Sequence, residues 1–139
     1  GHTHSIMKFA LPSLVGEHIN FVHGPGCPVC VMPKSRIDEA CKLASMENVI
    51  FCTLADMLRV PGSATSLQKL RGEGHDIRAL YSPLDCIKIA QENPQKTVIF
   101  FAIGFETTTP MSAVLIDKAL NLGLKNLFFH TKMIVINIF

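Results

Sequence analysis

Two thiols with two residues between them stand first among the residues able to do chemistry. Cys27 and Cys30 end the run His23-Gly24-Pro25-Gly26-Cys27-Pro28-Val29-Cys30. Such a pair can close a disulfide or grip one metal ion. Backbone N–H groups or a helix N-terminus beside it lower a thiol pKa and favour thiolate. Pro25 and Pro28 stiffen the loop, while Gly24 and Gly26 let another group approach closely. The bland alternative is a structural turn whose cysteines only pack. A structural zinc site would need two more ligands at suitable spacing, and no second C-x-x-C occurs. Cys41, Cys52 and Cys86 sit in apolar contexts and read as small buried hydrophobes. Five cysteines, an odd and sparse set, point to a reducing cytosol rather than a secreted disulfide framework. The stretch from Gly24 to Val29 begins like a dinucleotide fingerprint. However, Val29 replaces the third glycine and the prolines remove amide donors.

Two other loops carry polar groups. Asp56 and Arg59 lie three apart before Val60-Pro61-Gly62. They can orient a substrate or a thiol, or form a salt bridge that only shapes the loop. Glu106 directly follows an apolar strand and can act as acid, base or hydrogen-bond acceptor. Beside Thr107 and Thr108 it can equally serve helix capping. His18 and His75 read as turn residues, His23 as a loop residue, and His130 stays open between a structural and a functional role.

These loops need elements to hold them. The spacing predicts a helix over Ser5–Leu14 that ends at Pro12, then a short strand over Ile19–His23. Ser35–Met46 reads as a helix with Ser35 and Asp38 as a capping box, and Ile37, Ala40, Cys41 and Ala44 inward. Val49–Thr53 is a buried strand, Ser66–Arg71 a short helix, Ile77–Tyr81 a strand and Pro83–Glu92 a helix. Thr97–Ile103 is the most apolar strand and is expected to be central, ended by Gly104. Thr107 or Thr108 caps a helix to Leu122, Gly123 follows as C-cap, and Asn126–Phe129 is a further strand. Ile134–Phe139 fits one more. Continuous apolar strand runs alternating with helices imply parallel strands covered on both faces. The expected fold class is α/β, an open, mainly parallel sheet in a Rossmann-like three-layer arrangement. Function in such a sheet sits in the loops after the strand carboxyl ends.

Composition removes other classes. With 139 residues, 48% apolar and 17% charged, the chain is a folding domain rather than a disordered segment. A net charge of +2 and no Trp argue against a nucleic-acid surface. No apolar run approaches the length of a membrane span, and no signal peptide is visible.

Read together, Gly1-His2-Thr3-His4, the Cys27–Cys30 loop, Asp56 through Arg59-Val60-Pro61-Gly62, and Gly104-Phe105-Glu106-Thr107-Thr108 resemble the HypD family, in the same motif order. That family matures nickel–iron hydrogenases. The resemblance runs to about His130, and it places the chain in the first of two α/β domains and the start of the second. It implies work with a HypC-type chaperone and a HypE-type cyanide donor. Together they build an iron group carrying cyanide and carbon monoxide, which passes to the hydrogenase large subunit. Cys27 and Cys30 would be the redox and iron-handling pair. His2, Asp56, Arg59 and Glu106 would line or support the site, with Thr3, Gly24, Gly26 and Thr107 beside the bound group. The family also holds a four-iron four-sulfur cluster in a C-terminal region whose cysteines this sequence lacks. Its first motif reads Cys-Gly-Gly-His-Thr, and the chain opens at the second Gly. Ala55 stands where the family usually has Gly, and Thr131–Phe139 departs from the pattern. The chain thus reads as a partial member, with an apolar edge left exposed where later segments would pack. A free-standing thiol–disulfide oxidoreductase and a non-catalytic interaction module are the alternatives. The first predicts reduction of generic protein disulfides without iron. The second predicts partner binding that survives loss of both cysteines.

Overall fold

A computed structural model describes residues 2–16, 19–21, 24 and 26–134, with the backbone alone at 2, 3 and 134. The elements are α1 (His2–Lys8), α2 (Leu11–Leu14), α3 (Lys34–Ala44), β1 (Val49–Leu54), α4 (Leu67–Gly72), β2 (Ile77–Leu80), α5 (Asp85–Glu92), β3 (Thr97–Phe105), α6 (Thr109–Asn121) and β4 (Leu127–Ile134). Four strands form one sheet in the order β2-β1-β3-β4, and every pair is parallel. The α/β class expected from the sequence is the one observed, and β3 lies inside the sheet.

Strand side chains alternate between two cores. Val49, Phe51, Ile99, Phe101 and Ile103 pack with Ile37, Ala40, Cys41 and Ala44 of α3 and with Leu67 and Leu70 of α4. Ile50, Cys52, Val98, Phe100 and Ala102 face the other way, onto Cys86 and Ala90 of α5 and Leu115 and Ala119 of α6. Both faces are thus dry, which is why these strands carry no polar alternation. Cys41, Cys52 and Cys86 are buried, as expected of small hydrophobes.

Asn126 fastens the entry to β4. Its side-chain amide donates to the carbonyls of Ala90, Asn93 and Lys96 at 3.0, 3.0 and 3.1 Å, closing the turn between α5 and β3. Asn126→Asp turns the donor into an acceptor facing three carbonyls. It is expected to cost about 1–3 kcal/mol, read as a lower urea midpoint with unchanged slope.

Several local readings are corrected. The Ser5–Leu14 helix is broken: Ala10 takes a left-handed φ of 49°, and Pro12 opens α2 instead of ending α1. Its apolar face is not buried, since Met7, Phe9 and Leu14 are exposed. Residues 19–21 form no strand; His23 and residues 135–139 lie outside the described residues. Ser35 does not cap α3, whose N-cap is Pro33 without a side-chain bond. Asp38 is instead drawn to a distant loop, accepting from Ser63 N–H and Oγ, both at 2.7 Å. Those bonds hold its carboxyl below the usual carboxylate range. Gly104 does not end β3, which runs through Phe105. Thr108 is the N-cap residue of α6, but its hydroxyl donates to the Phe105 carbonyl at 2.8 Å and makes no side-chain cap.

Apolar side chains are exposed along α6 (Met111, Val114, Ile116 and Leu120) and at Phe128 on β4, which pairs on one side only among the described residues. No helix among the described residues is long and apolar enough to cross a membrane.

Candidate functional site

β1 and β3 are neighbours, yet the helices that follow them cover opposite faces: α4 packs in one core and α6 in the other. The chain leaving one carboxyl end therefore parts from the chain leaving the other, and a crevice opens between them. A hollow of about 430 Å³ fills that crevice. The end of β1 and the short 3-10 helix after it (Ala55–Arg59) supply Leu54, Asp56 and Met57. β3 supplies Phe101, Ile103 and Gly104, and Thr108 closes the rim. The remaining wall is Cys27, Pro28 and Val29.

The thiol loop is folded by its own backbone. Cys30 N–H donates to the Cys27 carbonyl at 3.1 Å, and Met32 N–H to the Val29 carbonyl at 3.3 Å. These successive turns bring the two thiols close enough to interact. The Cys27 thiol is held below its ordinary value, first by the hydrogen bond from the Cys30 thiol and then by the Cys30 N–H. The Val29 N–H adds to this, while partial burial and the Asp56 charge oppose it. Cys30, the donor of that bond, is raised by the same contact. The pair is thus differentiated, with Cys27 the readier of the two to form a thiolate. The Cys30 thiol, aided by peptide N–H groups of the turn, does this work rather than a helix end, because α3 begins only at Lys34. The other thiols differ. Burial pushes Cys41 up, and Cys86 is driven far up by its contact with Cys52 together with burial.

Other residues singled out in the sequence are placed as follows. Asp56 lines the hollow beside Cys27, whereas Arg59 faces a second hollow that Asp56 shares. No ion pair joins Asp56 to Arg59, so the loop-shaping salt bridge is not what this spacing makes. Glu106 and Thr107 are exposed on the 3-10 turn Glu106–Thr108, and Thr108 is the member of that motif at the hollow. Gly24 and Gly26 are exposed, and a side chain at either would meet nothing within 4 Å, leaving that flank open to an incoming group. His2 and Thr3 lie on α1, their side chains outside the described residues, as are His23 and Pro25. His130 is structural: its ring stacks on Phe101 with centroids 5.0 Å apart, and Nε2 is 3.8 Å from Glu39, too far for a hydrogen bond. Burial holds its imidazole below the usual histidine range.

Met57, Phe101 and Ile103 had no site signal in the sequence, because they meet only once β1 and β3 are known to be adjacent, whereas Thr108 belonged to a motif already singled out. Gly104 had one, a glycine in an apolar strand, which marks a close approach. A Cβ there would collide with Thr108 Oγ1. Gly104→Ala is expected to cost about 1–3 kcal/mol and to displace Thr108 from the rim, seen as a lower melting temperature and an altered Thr108 amide resonance.

Among the described residues no three His, Cys, Asp or Glu side chains gather to hold a metal. A four-iron four-sulfur cluster needs four thiolates. Cys41 is buried in one core and Cys52 and Cys86 in the other, so these residues do not fit one.

Comparison with known proteins gives a consistent picture. The HypD family, described as "Hydrogenase formation hypA family", matches residues 1–138. The chain is 55% identical over 127 residues to the hydrogenase maturation factor HypD of Azotobacter vinelandii, covering 91% of this chain and 34% of that protein. It is 48% identical over 136 residues to the hydrogenase maturation factor HypD of Escherichia coli (strain K12), covering 98% and 36%. With the protein of the same name from Rhodobacter capsulatus it shares 52% over 126 residues, 91% and 33%. The chain spans about a third of the length of these curated relatives.

Proposed function

The chain belongs to the HypD family, and on that premise we propose that it forms the dithiol wall of an iron-handling cleft in nickel–iron hydrogenase maturation. The observation that carries this reading is the Cys27–Cys30 pair, folded together by its own backbone turn, with Cys27 on the wall of the crevice between β1 and β3.

Iron is cargo here. Soft thiolates suit iron that carries strong-field ligands. Two protein thiolates leave its other positions open for cyanide and carbon monoxide. Oxidation of the pair consumes two S–H bonds, forms one S–S bond and releases two protons and two electrons. The two electrons break the bond that holds cyanide on its donor, which yields the cyanide anion and the donor anion, and the protons pass to water. Asp56 orients the Cys27 thiol, and Arg59 and Glu106 hold incoming groups by charge and hydrogen bonding. His2, Thr3, Gly24, Gly26 and Thr107 border the bound group. The proposed partners are a HypC-type chaperone and a HypE-type cyanide donor, with the hydrogenase large subunit as final recipient. This thiol chemistry requires a reducing compartment, which we place in the cytoplasm.

Anaerobic titration with ferrous iron tests the reading. Thiolate-to-iron absorption is expected to saturate at about one iron per chain and to vanish in the Cys27→Ser, Cys30→Ser double variant. Iron binding unchanged in that variant contradicts it.

A further inference from the structure

The second hollow, about 450 Å³, lies between the 3-10 helix Ala55–Arg59 and α4. Arg59, Gln68 and Arg71 line it with Asp56, and all four are exposed. Neither guanidinium has a hydrogen bond or ion pair among the described residues, though Arg36, Arg78, Lys88 and Lys96 each have one. Two unpaired like charges on adjacent elements repel each other and are relieved by an anion that bridges them. Their planar forks and the Gln68 amide suit an oxygen pair. Two guanidiniums against the Asp56 carboxylate leave one net positive charge, which complements a single carboxylate better than a dianion.

The geometry points to a docking site for an acidic segment of a protein partner, whose carboxylate bridges Arg59 and Arg71. A free small carboxylate is a poorer occupant, because an exposed ion pair is worth little in water. A larger partner covers the arginines and so strengthens the pair. Asp56 belongs to both hollows, so a segment held here lies beside the thiol wall.

The test follows the arginine Nε–H resonances of the full chain during titration with a capped hexaglutamate peptide. Arg59 and Arg71 are expected to shift together, with affinity falling as salt rises. Arg71→Gln is expected to weaken binding roughly tenfold, and Arg71→Lys, which keeps the charge but loses the fork, by an intermediate factor. Lys118→Gln, on α6 across the sheet, is expected to change it by less than about twofold. Equal weakening by Lys118→Gln contradicts the site, as does tighter binding of inorganic phosphate or of acetate alone than of the peptide. Circular dichroism of each variant checks the fold. The Cys27 alkylation profile is expected to be unchanged in Arg71→Gln, so failure here is separable from failure of the thiol reading.

Discussion

Cys27→Ser, made at the matching position of a full-length relative, is expected to lower the yield of active nickel–iron hydrogenase by at least about 100-fold, the scale on which metal-site groups act. The serine keeps the size and the turn, whose bonds run through the backbone at 3.1 and 3.3 Å. It removes the readier thiolate from the wall of the hollow. Cys30→Ser separates two roles of its partner. A hydroxyl still donates a hydrogen bond to the Cys27 sulfur, so most of the depression of that thiol survives. No disulfide can form, so the two electrons are lost. Both variants are expected to fail in maturation, while iron titration shows residual binding only in Cys30→Ser. Normal hydrogenase activity in either variant contradicts the assignment.

Phe101→Ala is expected to cost about 3–5 kcal/mol, a large share of the roughly 5–15 kcal/mol that holds a domain together. Phe101 is 1% exposed in the middle of β3. Its ring sits 5.9 Å from Phe51 and 5.0 Å from His130, so it ties β1, β3 and β4 together on one face. It also forms the floor of the hollow. The truncation joins a core void to the crevice, and the rings of Phe51 and His130 cannot collapse far because the strands fix them. Equilibrium unfolding in urea reads the cost. A loss below about 1 kcal/mol means that the ring is not the keystone described.

The strands were the most legible part of the fold. Thr97–Ile103 and Val49–Thr53 are unbroken apolar runs, and only strands buried on both faces need them. The inward face of α3 was legible for a related reason, since Ile37, Ala40, Cys41 and Ala44 recur at helical spacing. What failed depended on partners distant in the chain. Asp38 has a capping position relative to Ser35, but Ser63, 25 residues away, takes its carboxylate. Met7, Phe9 and Leu14 keep a helical rhythm, but all three stay exposed. Ile19 and Phe21 are strand-forming residue types, but residues 19–21 are not part of the described sheet. In the site, the C-x-x-C spacing announced the thiols, and the loop-after-strand rule located the walls after β1 and β3, whereas the strand expected before the thiol loop is not formed at residues 19–21. Which thiol is readier was not legible, because the contact with the Cys30 thiol and then the N–H groups of the turn decide it.

The most direct measurement is the rate of Cys27 alkylation by iodoacetamide as a function of pH, followed residue by residue by mass spectrometry. A thiol whose folded pKa is depressed is thiolate at a pH where a free thiol is still protonated, so its rate rises earlier on the pH axis. The account predicts that Cys27 reacts first, below the ordinary thiol range, and that Cys30→Ala moves its curve upward by removing the hydrogen-bond donor. Cys41, Cys52 and Cys86 are expected to stay unmodified until the chain unfolds. A Cys27 that alkylates no earlier than a free cysteine, or that is shielded while the buried thiols react, contradicts the account.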